Sequence, residues 1–186
     1  MSDRAYQPRS YTGERHRFGK EGERIVGDWL RRRQDVASVR DASEVPELRA
    51  SGFDFVVKLR SGQVRHVEVK ADDHIGKSGN LPVELARIAM ASAEDWSLFG
   101  WSMRSTAHWL IFYAPQAGCL YFMPFSAYRQ GVIDYVSYMR KTGVSIALRI
   151  IPTCDRWSTL LLPVPEKYFK IDRFSWESSA QPVDDE

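Results

Sequence analysis

The chain has 186 residues, 44% of them hydrophobic and 27% charged, with a formal net charge of +2. That is ample apolar content for one core in one domain, and the near-neutral balance excludes a chain that grips nucleic acid by bulk charge alone. No run reaches the ~18 apolar residues of a membrane span, and the N-terminal M-S-D-R-A-Y-Q-P-R-S has no apolar signal region, so an intracellular, cytoplasmic protein with no membrane partner is expected.

Residues 1–15 are polar without periodicity and read as a flexible segment, as does the acidic tail 177–186; 16–176 read as a single domain. The first predicted element is a helix through R-F-G-K-E-G-E-R-I-V-G-D-W-L, where Phe18, Ile25, Val26, Trp29 and Leu30 recur at helical spacing. Gly22 lies in that stripe, where close packing has a use for it, and Glu21 and Glu23 border it. Arg15, Arg17 and Lys20 begin the helix, and Arg31, Arg32 and Arg33 end it. Cations at a helix C-terminus are favoured by the macrodipole, so the last three have a structural explanation as good as phosphate binding.

Next comes S-G-F-D-F-V-V-K-L-R-S-G-Q-V-R-H-V-E-V-K, two strand patterns joined by a tight turn. Strand side chains alternate faces, so Glu68 and Lys70 point the same way and Asp54 can sit beside them across the hairpin. Glu and Lys two apart also occur on solvated strand faces. Here Phe53, Phe55, Val56, Val57, Val67 and Val69 make the strands apolar on both faces, as in central strands, and buried carboxylates need a pairing or metal partner. Two hard oxygen ligands suit Mg²⁺, with Mn²⁺ as a substitute, and a lysine beside them can orient or deprotonate an attacking water.

At this point the sequence resembles the PD-(D/E)XK nuclease superfamily, nearest to the archaeal Holliday junction resolvases and related restriction-type and phage nucleases. The family's opening G-x-x-x-E is matched by Gly19 to Glu23, its Asp by Asp54 and its E-x-K by Glu68 and Lys70; the proline before the aspartate is replaced by Phe53. The resemblance implies a restriction-endonuclease-like α/β fold, a central mixed β-sheet flanked by helices, with its core motifs within about residues 17–114. It also implies Asp54 and Glu68 as metal ligands, Lys70 as the catalytic lysine and Glu23 as a further acidic residue. The implied activity is Mg²⁺-dependent endonucleolytic cleavage of DNA, including branched or junction DNA, leaving a 5′-phosphate and a 3′-hydroxyl. A nuclease-derived module that binds DNA or protein without cutting is the alternative, and the intact acidic and lysine set argues against it. Cutting two strands would favour a homodimer.

The following A-D-D-H-I-G-K-S-G-N reads as a loop between strands, and L-P-V-E-L-A as the next strand. Glu84 either adds a ligand or is an edge residue near Pro82. Arg15, Arg17, Lys20, Lys77 and Asn80 are candidate DNA contacts; His74 is either a phosphate contact or a solvated loop residue, the second being the simpler reading. His66 shares the face of Glu68 and Lys70, so it either lines the cleft or is a satisfied core histidine. Trp96 and Trp101 are the aromatic candidates for DNA contact. Beyond them, A-H-W-L-I-F-Y and G-C-L-Y-F-M read as strands around a P-Q-A-G turn that extend the sheet. A helix begins at Pro124, and V-S-I-A-L-R-I-I and S-T-L-L-L-P-V form a last strand pair. Cys119 and Cys154 lack metal-ligand spacing, so reduced core thiols are expected and a structural zinc is unsupported.

Overall fold

The computed structural model describes residues 11–45, 48, 52–89, 98–154 and 157–177. In chain order the elements are α1 (Tyr11–Arg32), β1 (Val36–Asp41), β2 (Phe55–Leu59), β3 (Val64–Ala71), α2 (Ile75–Ser78), β4 (Asn80–Ala89) and β5 (Leu98–Phe99). They continue with α3 (Trp101–Arg104), β6 (Trp109–Ala114), β7 (Cys119–Pro124), α4 (Phe125–Thr142), β8 (Arg149–Cys154), β9 (Trp157–Pro165) and β10 (Asp172–Phe174). The strands form two sheets, a six-stranded one ordered β1-β2-β3-β6-β7-β10 and a four-stranded one ordered β5-β4-β9-β8. The larger sheet is mixed: β3 and β6 are parallel, and its other pairs are antiparallel. The fold is α/β with a central mixed sheet flanked by helices, as the sequence predicts.

Alternation along the central strands makes two cores. On one face Phe55, Val57, Val67, Val69, Ile111, Tyr113 and Leu120 pack under Val26, Trp29 and Leu30 of α1. Each of those three helix side chains is fully buried, which is worth about 1.5–3 kcal/mol apiece. The approach is close: a Cβ on Gly22 would stand 3.1 Å from that of Ala71 and 3.3 Å from that of Tyr113. On the other face Leu110, Phe112, Tyr121 and Met123 meet Leu81, Val83, Leu162 and Val164 of the smaller sheet and Phe125 and Tyr128 of α4. Cys119 is buried in this second core.

Several expectations change. Helix α1 begins at Tyr11, so residues 11–15 are helical rather than part of a flexible segment; residues 13–17 are exposed and polar, leaving no stripe to announce the helix. The predicted loop after Lys70 holds the single turn α2, begun where the Asp72 carboxylate accepts the N–H groups of His74 and Ile75 at 2.7 and 2.9 Å. The run around Glu84 is a strand, β4, yet it belongs to the smaller sheet, and β6 is the neighbour of β3 in the central one. Parallel strands need a long crossover, and residues 72–108, containing α2, β4, β5 and α3, supply it. The first strand of the last predicted pair begins only at Arg149; residues 144–148 lie outside any strand and are exposed. Residues 1–10 and 178–186 lie outside the described residues. Among the described residues no helix is long and apolar enough to cross a membrane.

Candidate active site

The β2–β3 register sets Phe55 opposite Val67, which brings Asp54 beside Glu68. The Asp54 backbone bridges strands: its N–H donates to Val67 O at 2.8 Å, and its carbonyl accepts from Ala42 N–H at 2.8 Å. Its side chain is fixed too, with Oδ2 accepting from Val69 N–H at 2.7 Å. While Val67 and Val69 face α1, Glu68 and Lys70 project to the opposite face of β3. There Glu68, 5% exposed, forms an ion pair with Lys70 through Oε1 and accepts from Ser105 Oγ at 3.5 Å through Oε2. The Lys70 ammonium stands 4.9 Å from the centroid of the Trp101 ring, a cation–π contact that fixes it from a second side.

Asp54, Glu68, Lys70 and Trp101 line a cleft of about 360 Å³ together with Lys20, Glu23, Asp41, Ser43, Gly52, Phe53 and Arg87. Glu23 enters from α1, where it is bonded to Lys20 at 2.6 Å. Glu21, by contrast, is exposed and hydrogen-bonds with Tyr113. Asp41 comes from the end of β1, its Oδ1 accepting from Ser43 N–H and Oγ at 2.8 and 2.6 Å. Burial and neighbouring charges shift two of these groups. Burial pushes the Asp54 carboxyl up to about 6, with Glu68 and Glu23 adding to the rise and Lys70 and the Val69 N–H opposing it. Lys20 is held above its ordinary value, chiefly by its bond to Glu23, with Asp41 and Asp54 contributing.

No family model and no curated protein matches this chain. Among solved structures it is similar to a bacterial homing endonuclease, I-Ssp6803I, at 16% identity over 61% of this chain and 71% of that one, with a TM-score of 0.41. It is also similar to a nuclease from a fusselovirus, at 12% identity over 90% of each chain, with a TM-score of 0.32. The chemistry of the site therefore rests on its own residues.

The structure brings together Glu23, Asp54, Glu68 and Lys70, with Lys20 at their side. It does not bring Glu84 into the cleft lining. That carboxylate is 8% exposed and accepts from Arg87 Nε at 3.1 Å and Trp101 N–H at 3.4 Å. Arg15 and Arg17 are exposed on the N-terminal half of α1, and Lys77 is exposed on α2; Asn80 bonds to Ser78 O at 2.8 Å. None of these lines the cleft. His66 is stacked on Phe53 at 4.2 Å between ring centroids, and burial and His108 lower its pKa, so it supports the cleft wall from behind. Trp101 lines the cleft, but one face is stacked on Tyr128 at 5.7 Å and the ring attends Lys70, which makes it a wall and not a platform for bases. Trp96 lies outside the described residues. The arginines ending α1 are structurally engaged: Arg31 with Asp28, Arg32 with the Trp176 carbonyl, and Arg33 with Asp35 at 2.8 Å beside the rings of Trp29, Trp109, Phe122 and Phe174.

Sequence reasoning missed Asp41, Ser105 and Arg87. Asp41 carried a signal, since D-A-S-E has the form of a helix N-cap, but nothing local says that the turn opens onto the site. Ser105 and Arg87 arrive through tertiary contacts and had no local signature.

Proposed function

We propose that this chain is a divalent-metal-dependent DNA endonuclease of the PD-(D/E)XK type, hydrolysing phosphodiester bonds, with branched or junction DNA among its substrates. The observation that carries the reading is the meeting of Asp54, Glu68 and Lys70 at one cleft bordered by Glu23. A metal fits this donor set. Asp54 resists ionisation chiefly because it is buried, with Glu68 and Glu23 adding to the rise that Lys70 only partly offsets, the condition that a bound cation relieves. Among the described residues no three His, Cys, Asp or Glu side chains group to close a metal shell. Two carboxylates with water and substrate oxygens are the usual arrangement for Mg²⁺ rather than for structural zinc.

Asp54 and Glu68 would hold the ion, which when bound would supply Lewis-acid stabilisation of phosphate charge and a more acidic water. The rest is done by the chain itself. Lys70, fixed between Glu68 and the Trp101 ring, presents its remaining N–H donors to the attacking water and to charge growing on the phosphate oxygens. Glu23, brought to the cleft by α1, positions Lys20 and adds an acceptor for water. Attack on phosphorus from the side opposite the 3′ oxygen breaks the P–O3′ bond, leaving a 5′-phosphate and a 3′-hydroxyl, as the family resemblance implies. Two antiparallel strands call for two such centres, which a symmetric pair of chains would supply.

The experiment is incubation of the purified chain with labelled duplex, single-stranded and four-way-junction DNA in Mg²⁺, Mn²⁺ or EDTA, beside Asp54→Asn and Glu68→Gln. Cleavage that needs the metal and both carboxylates is the expected result. Cleavage by either variant at the parental rate, or none by the parent on any substrate, would overturn the reading.

A further inference from the structure

In a regular strand, residues three apart face opposite sides of the sheet. Glu84 and Arg87 of β4 do not. Glu84 is opposite Leu161 and Ala86 is opposite Leu160, so Leu85 is an extra residue, a bulge that shifts the register. Bulges re-aim side chains and cluster beside active sites. Here the bulge turns Arg87 to the side of Glu84, whose nearly buried carboxylate accepts from Arg87 Nε at 3.1 Å. The same carboxylate receives Trp101 N–H. Gly100 N–H donates to Leu85 O at 2.8 Å, and a Cβ at Gly100 would lie 2.0 Å from Glu84 O. The bulge, Gly100 and Glu84 thus form one packed unit that delivers two cleft residues, Trp101 and Arg87.

Trp101 serves Lys70, while no cleft partner accounts for Arg87. Its side chain is 45% exposed, with only Nε bonded to Glu84 among the contacts described. The cleft it enters contains Asp41, Glu23, Asp54 and Glu68, a centre that repels a polyanion unless cations stand at its rim. Lys20 supplies one from α1. We propose that Arg87 is a backbone-phosphate contact for the nucleic acid, and that Glu84, with the bulge, is its positioning residue rather than a metal ligand. The proposal rests on the nuclease reading above and adds a role for the smaller sheet: it holds the phosphodiester backbone across the cleft from α1. An arginine suits the task because its planar fork can be tethered through Nε and still present two terminal nitrogens to phosphate oxygens.

The test is binding of fluorescein-labelled duplex and four-way-junction DNA in EDTA, followed by anisotropy across a salt series. The variants are Arg87→Ala, Arg87→Lys, Glu84→Gln and, as a control charge outside the cleft, Arg140→Ala on α4; urea midpoints check that each is folded. Arg87→Ala should weaken binding roughly five- to tenfold and lower the slope of log affinity against log salt by about one, as expected for one lost phosphate contact. Arg87→Lys should restore the slope, Glu84→Gln should weaken binding less than Arg87→Ala, and Arg140→Ala should change neither quantity. A folded Arg87→Ala protein with the parental slope would overturn the proposal, as would an equal loss in Arg140→Ala. If the parent itself binds neither DNA, the nuclease reading falls and this inference with it, an outcome distinct from a binding parent with an unaffected variant.

Discussion

Replacing Asp54 by asparagine should stabilise the metal-free protein at neutral pH, because the native fold holds this carboxyl in surroundings that oppose its charge. The group titrates near 3.8 when unperturbed and is pushed up to about 6 in the fold, burial being the largest cause. An acid whose folded pKa is raised binds more protons in the native state than in the unfolded one, so its contribution to stability is present below about pH 4 and is lost as pH rises through about 6. At about 1.4 kcal/mol per pH unit the loss is about 2–3 kcal/mol once both states are ionised. Asparagine removes the charge while its carbonyl oxygen can still accept the Val69 N–H that Asp54 Oδ2 accepts now. In EDTA, urea unfolding followed by tryptophan fluorescence should therefore show Asp54→Asn equal to or below wild type near pH 4 and above it by about 2–3 kcal/mol near pH 7.5. For a chain of this size that is a rise in Tm of roughly 5–10 °C. Saturating Mg²⁺ should then stabilise wild type, by about 2.7 kcal/mol at a hundredfold excess over Kd, and leave the variant largely unmoved. A pH-independent difference between the two proteins, or an Asp54→Asn protein less stable at neutral pH in EDTA, would refute the argument.

Lys70→Ala should lower the cleavage rate by at least ~100-fold, the usual scale for a charge-stabilising or proton-transfer group, with Mg²⁺ affinity by calorimetry changed far less; equal rates would leave the lysine a mere ion-pair partner of Glu68. Glu23→Gln should impair cleavage much more than Glu21→Gln, because Glu23 lines the cleft while Glu21 turns to Tyr113, and gel assays giving the reverse ranking would remove α1 from the site. Gly19→Ala should raise helix stability by about 0.5–1 kcal/mol, since a Cβ there meets nothing within 4 Å. Gly22→Leu should instead cost about 1–3 kcal/mol or more by pushing α1 from Ala71 and Tyr113, as thermal unfolding would show.

The hairpin was legible because its charges interrupt an otherwise apolar period-two pattern, and such interruptions in a strand buried on both sides need a chemical reason. Glu23 was legible only through the match to G-x-x-x-E, since Glu21 borders the same apolar stripe and periodicity does not separate the two. The match to G-x-x-x-E was less informative about packing than its neighbour: Gly22, outside the motif's spacing, makes the close approach, while Gly19 faces open space. The smaller sheet was not legible, since β4 pairs with β9 across some seventy residues of sequence and nothing local reports a partner so distant. The bulge at Leu85 compounds this. A reader counting alternation from Pro82 assigns Arg87 to the wrong face. The alternating Val144, Ile146 and Leu148 misled in the opposite way, as they have the pattern of a strand but sit exposed before β8 begins.

The two sources of the cleft imply a division of labour. Strand β3 lies between β2 and β6, with ladder bonds on both sides, so Glu68 and Lys70 ride on a strand held from both edges, and Asp54 is tied to the same strand through Val67 and Val69. Lys20 and Arg87 ride on α1 and β4, which meet the central sheet through side-chain packing rather than through its ladder. Precision within about half an ångström matters for the groups that touch the reacting atoms, whereas holding a flexible backbone tolerates adjustment. On the proposed function, the metal ligands and the lysine thus sit where the backbone is fixed and the phosphate contacts where it can shift, with Glu23 the one member of the reacting group brought by α1. Substitutions that loosen α1 or the β4 bulge should accordingly weaken substrate affinity before they lower the rate of a saturated site, while those at Asp54, Glu68 and Lys70 should do the reverse.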